Sequence, residues 1–284
     1  QTARMDAVSL AVKRGAMLVV CSGASFQDTL VQAAKEFPDV TFLGLDCSIP
    51  EGSPKNAVGV TFSEVQAGFL AGYAAVENGW TKLGFFSEKK DSQSILYGYG
   101  FVQGAQAYAK AKEMPAQSVE IRYAYADKPG NTPENQAVAK EWFQNGAEAI
   151  FTIGYELTNG VIAAAEEFGK QVIGADVNWS DASQNVAISA VKHYSQAVQD
   201  LIDLSYNEEL TGGSTVQRTA AENGIALTMD DSHLKNFTRK SYDNLVIALA
   251  DDVSGMAADL VNTPAEDGSI GASGIVLSEV KVIE

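Results

Sequence analysis

"SEVQAGFLAGYAAVENGWTKLGFF", residues 63–86, holds two glycines and four alanines inside a helical pattern and runs straight into a strand-like string. Val65, Phe69, Tyr73 and Val76 recur at helical spacing and give the segment one apolar face. Ser63, with Gln66 three residues on, reads as a capping box in which hydroxyl and amide each satisfy an orphan backbone N–H. Asn78-Gly79 supplies the left-handed residue that ends a helix. A glycine in mid-helix costs about 1 kcal/mol against alanine, so Gly68 and Gly72 imply a neighbour packed tightly on this thin surface.

Working outward, the chain alternates helix and strand. "MLVVCSG", "TFLGLD", "AVGVTF", "KLGFF", "SVEIRYAYA", "EAIFTIG", "QVIGAD" and "NVAISAVK" are apolar runs of buried-strand type, most of them separated by amphipathic stretches. Such alternation predicts parallel sheets with crossover helices on both faces. In open α/β sheets ligands bind beyond the carboxyl ends of strands, which singles out Ser22-Gly23, Asp46, Glu88, Gly154-Tyr155 and Asp176. Asp176 after its strand reads either as a cap for the next turn or as a carboxylate accepting ligand hydroxyls, and Lys192 either as a chain leaving the core or as a ligand group.

The bulk composition narrows the function. The 284 residues suit one large domain or two modest ones, and 46% hydrophobic with 20% charged residues is globular. Twenty basic against 36 acidic residues give a net charge of −16 with no basic cluster, which excludes nucleic acid and anionic lipid as partners. The sequence has no run of ~18 apolar residues, the length a membrane-spanning helix needs. The two cysteines, Cys21 and Cys47, and the two histidines, His193 and His233, form no CxxC or HExxH spacing, so neither a metal nor a cofactor is expected. Both cysteines follow apolar strands and read as buried free thiols, although neighbouring strands could bring them together. Cysteine usage does not fix the compartment, and a secreted reading requires that a signal peptide has been removed. Gly98, Gly100 and Gly104 miss the dinucleotide fingerprint, because a polar loop separates them from the preceding strand; they read as helix-packing glycines. No GxSxG is present and neither histidine follows a strand end in a way that suggests a nucleophile and its base, so an enzyme is not expected.

"TFSEVQAGFLAGYAAVENGWTKLGFF", "YGYGFVQGAQAYA", "WFQNGAEAIF" and "VIGADVN…ISAVK", in that order over about residues 57–192, together resemble the basic membrane protein family; weaker similarity runs from residue 3 to about 250. These are substrate-binding lipoproteins of ABC transporters, whose characterised members include purine-nucleoside receptors. The resemblance implies a type I periplasmic-binding-protein-like α/β fold: two hinged lobes, each a parallel sheet flanked by helices, joined by three crossings. Lobe 1 is expected over residues 1–79 plus about 193–250, lobe 2 over 80–192, with 251–284 unassigned. The chain starts at what looks like the family's second helix, so an N-terminal strand of lobe 1 is expected to be missing. The implied function is that of an extracytoplasmic, lipid-anchored receptor that binds a nucleoside-like solute in an interlobe cleft and delivers it to a membrane permease. A ligand-sensing regulator of the same fold, or a binder of a sugar-like solute, is the alternative. Asp46, Asp176 and Lys192 fit family ligand positions. The family's stacking Phe position holds Pro129 and its "AGG" turn is Gly154-Tyr155-Glu156, so Tyr155 and Trp179 are the expected stacking face.

Overall fold

The computed structural model describes residues 2–207 and 209–284. In chain order the elements are α1 (Thr2–Lys13), β1 (Leu18–Ser22), α2 (Gln27–Glu36), β2 (Thr41–Leu45), β3 (Ala57–Phe62), α3 (Glu64–Glu77), β4 (Lys82–Ser87), α4 (Ser92–Ala111), β5 (Val119–Tyr125) and α5 (Pro133–Gln144). They continue with β6 (Ala149–Ile153), α6 (Tyr155–Phe168), β7 (Gln171–Asp176), β8 (Val186–Lys192), α7 (Tyr194–Tyr206), β9 (Ser214–Arg218), β10 (Ile225–Leu227), α8 (Arg239–Ala250) and β11 (Val280–Ile283). The chain divides into two compact units, Gln1–Ser63 with His193–Gly224, and Glu64–Lys192 with Ile225–Glu284. It passes from one to the other at Ser63/Glu64, Lys192/His193 and Gly224/Ile225. The first division therefore falls at Ser63 and not at residue 79, and residues 225–284 belong with the second unit. The reason is packing: α3 lies against α4, β10 pairs with β8, and β11 pairs with β5.

The first unit is a parallel sheet in the order β1-β2-β3-β9. Leu30, Ala33 and Ala34 of α2 and Met5 and Val8 of α1 pack with Phe42, Cys21 and Ala57 in its core. Asn56 Nδ2 donates to the carbonyls of Ala34, Phe37 and Val40 at 3.1, 3.0 and 2.8 Å and so fixes the turn from α2 into β2. Cys21 and Cys47 are buried free thiols. Burial, then the neighbouring Cys21 and Asp46, push the Cys47 thiol up to about 11, and burial also raises Cys21. The thiolate is the reactive form, so both groups are inert in the folded chain. At pH 8 a disulfide-exchange reagent such as Ellman's is expected to titrate neither thiol in native protein and two after unfolding; rapid native labelling would contradict the burial.

The second unit is a seven-stranded sheet in the order β10-β8-β7-β6-β4-β5-β11, parallel except for the β10–β8 pair. Twelve of the 14 residues of α3 are buried. Its glycines answer the composition puzzle. A Cβ on Gly68 would lie 2.1 Å from the Tyr97 carbonyl oxygen, and one on Gly72 would lie 1.9 Å from that of Phe101. From the other side, Gly100 and Gly104 of α4 would meet the carbonyls of Val65 and Phe69, each at 2.0 Å. The two backbones touch. The helix ends as the sequence indicates: Gly79 (φ 100°) donates to Val76 O and Trp80 to Ala75 O, the paired bonds of a Schellman turn. Gly72→Ala is expected to destabilise the protein by ~1–3 kcal/mol, because overpacking outweighs the gain in helix propensity. Denaturant unfolding checks this, and an unchanged midpoint would refute backbone contact.

Candidate functional site

Strand order in the second unit reverses at β4: the chain steps outward from β4 to β5 and then returns across to β6. At such a switch point the adjacent strand-to-helix turns leave in opposite directions and open a crevice at the carboxyl ends. A cavity of about 310 Å³ lies there, lined by Glu88 after β4, Ser94 and Tyr97 of α4, Gly154 and Tyr155 after β6, and Asp176 ending β7.

Asp176 has φ 65°, a left-handed conformation for which aspartate is more tolerant than most residues, and Val177 N–H donates across it to Ala175 O at 2.8 Å. The following turn is capped by another residue, Asn178, whose Oδ1 accepts from Ser180 N at 3.0 Å. Asp176 is thus freed from capping. Its Oδ1 accepts from the Tyr97 hydroxyl at 2.9 Å and pairs with Lys192 Nζ at 3.2 Å. Among the described residues no hydrogen bond engages Oδ2, and the side chain is 39% exposed. Lys192, at the end of β8, has a side chain only 1% exposed and pairs with the buried Glu64 Oε1 at 2.9 Å. Its ammonium also lies 5.6 Å from the Tyr97 ring centre. Tyr97 is itself held edge-on to Phe151 of β6 at 5.8 Å. The arrangement is one buried cation between two carboxylates, one of them enclosed and one turned outward as a preorganised acceptor.

The structure thus brings Asp176 and Lys192 together and sets Tyr155 on the same cavity, with its side chain at the surface. Trp179 lies 5.1 Å from the Tyr155 ring, but it is buried in the core cluster and its indole N–H donates to Ala175 O at 3.0 Å. It backs Tyr155 and does not line the cavity. Asp46 belongs to the first unit, where it directly follows β2 with φ 47° and its Oδ2 accepts from the Tyr194 hydroxyl. The Tyr194 ring stands edge-on to Phe62 at 5.1 Å. Sequence reasoning did not select Tyr97 or Glu64. Their signals were the tyrosine that opens the glycine-spaced string "YGYG" and a carboxylate opening a mostly apolar helix. Among the described residues no group of three or more His, Cys, Asp or Glu is placed to hold a metal ion.

Two α/β units with parallel sheets flanked by helices, linked where the chain passes between them three times, make a fold of the type I periplasmic-binding class. The ABC transporter system solute-binding protein from Conexibacter woesei has this fold, with a TM-score of 0.72 at 19% identity, covering 91% of this chain and 83% of that one. The chain belongs to the family described as ABC transporter substrate-binding protein PnrA-like, whose pattern matches residues 1–251. Among its relatives, Basic membrane protein D of Borreliella burgdorferi is 28% identical over 223 residues, 76% of this chain and 63% of that protein. The ABC transporter nucleoside-binding protein BmpA of Lactococcus lactis is 22% identical over 257 residues, covering 83% and 71%. The chain therefore spans about two thirds of the length of these relatives.

Breaking a buried ion pair on one side costs ~3–5 kcal/mol, since the remaining charge stays desolvated. Lys192→Met should accordingly lower stability by about that amount, and adding Glu64→Gln should restore much of it. Urea denaturation of the single and double variants measures the coupling; additive effects would show that the pair does not act as a unit.

Proposed function

We propose that this chain is the solute-binding component of an ABC importer and that it binds a nucleoside-like, hydroxyl-bearing small molecule through Asp176. The observation that carries the reading is the outward carboxylate of Asp176, anchored through one oxygen by Tyr97 and Lys192 and open through the other to a cavity. Such a carboxylate accepts two hydroxyls of a vicinal diol with its orientation already fixed, so little ordering is lost on binding. Tyr155 offers a flat apolar face for a heterocycle. Family membership and a relative named as nucleoside-binding support the solute class. On this reading the protein works outside the cytoplasm, lipid-anchored at the membrane, hands its solute to a permease and performs no chemistry on it. The described residues contain no helix long and apolar enough to cross a membrane.

Calorimetric titration with nucleosides tests the proposal. Asp176→Asn should weaken binding about ten- to a hundredfold; because it also removes one partner of the buried Lys192 it should lower the melting temperature, so affinity is compared well below the variant's own transition. Wild-type affinity in that variant would overturn the role of Asp176. Because three carboxylates, Glu88, Asp91 and Asp176, line the cavity against the single cation Lys89, a nucleoside 5′-monophosphate should bind more weakly than its nucleoside.

A further inference from the structure

Glu88 lines the same cavity as Asp176, at the turn that leaves β4. Its backbone is held in place. Glu88 N–H donates to Ile153 O at 2.8 Å, and the buried Ser87 hydroxyl donates to Lys89 O at 2.9 Å, closing the turn around it. The side chain lies against Gly154, where a Cβ would fall 2.3 Å from both Glu88 Cβ and Oε2. Gly154 also has φ 117°, so the position accepts glycine and in turn leaves room for this carboxylate. Among the described residues no hydrogen bond or ion pair engages the Glu88 carboxylate. The other acid at this rim, Asp91, is occupied in capping α4, where it accepts from Ser94 N at 3.0 Å. The cavity thus offers two acceptors for a ligand, Asp176 and Glu88, with the exposed Tyr155 ring on its lining.

We propose that Glu88 determines ligand specificity by accepting two adjacent N–H donors from the edge of a planar heterocycle. The inference rests on the reading that this cavity takes a nucleoside-like solute. A carboxylate has no proton to give at neutral pH, so it rewards donors and penalises a bare carbonyl edge, and two parallel N–H groups match its two oxygens. With Asp176 taking the hydroxyls, a heterocycle resting on Tyr155 turns its edge toward Glu88. A guanine-like edge, with a ring N–H beside an exocyclic amine, supplies that pair; the same ring lacking the amine supplies half of it.

The test is a two-by-two titration of guanosine and inosine, which differ by one amino group, against wild type and Glu88→Gln. The expected result is that wild type binds guanosine about tenfold or more tighter than inosine and that the ratio falls to within about twofold in the variant. Equal affinities in wild type, or a preference that survives Glu88→Gln, would overturn the inference. The competing role for Glu88 is to favour the N-terminus of α6 through its charge. That role predicts a lower melting temperature in Glu88→Gln with the guanosine-to-inosine ratio unchanged, and this outcome too would overturn the proposal. Binding of other nucleosides without this pattern rejects the Glu88 role alone, whereas no binding of any nucleoside rejects the functional reading and this inference with it.

Discussion

The close approach of α3 to α4 is the contact on which the second unit depends. Four glycines, two on each helix, bring backbone against the carbonyls of the partner at distances no side chain would allow. A contact of this kind fixes both the rotation and the register of the pair, because a shift in register would drive larger residues into backbone. Glu64 lies one turn before Gly68, and the carbonyl that Gly68 meets belongs to Tyr97. The glycine register therefore also decides that Glu64 and Tyr97 both reach Lys192, one by ion pair and one through its ring face. Scaffold and site share one constraint.

The buried lysine organises the charges around it. In a chain of net charge −16 an outward carboxylate is unremarkable unless something holds it. Lys192 does so from inside, with Glu64 offsetting part of its desolvation and Asp176 extending toward solvent. A desolvated ion pair gains little net stability but is costly to disrupt. Its value here is geometric: it aims an acceptor.

Each unit also carries an aspartate with positive φ at a strand end, Asp46 just after β2 at 47° and Asp176 closing β7 at 65°. Each aspartate accepts from a tyrosine on another element of its own unit, Tyr194 and Tyr97 respectively. A left-handed aspartate turns the chain out of the sheet while pointing its side chain beyond the strand end. The strain, of order 1–3 kcal/mol for a non-glycine residue in this region, is stored at these two strand ends.

The sequence by itself determined the elements, their parallel pairing and the polar residues at strand ends, since hydrophobic period, helix stop signals and apolar run length are local properties. The strings around α3 and α4 also carried the family, and with it Asp46, Asp176 and Lys192. What only the tertiary structure decided were pairings between segments distant in the chain. The helix α3 reads as the close of the first block because "KLGFF" follows it, yet it joins the second unit, since the glycines that match its own lie about 30 residues further on. The tail reads as unassigned because β11 gains its meaning only beside β5, where Gln106 accepts from the backbone of Ser278, Glu279 and Val280. Trp179 follows Asp176 by three residues and reads as a ligand face, but its indole finds Ala175 and the core instead. Tyr97 and Glu64 stand 79 and 128 positions from the groups they hold, Asp176 and Lys192. No local pattern encodes such distances; close packing of the two helices on the sheet does.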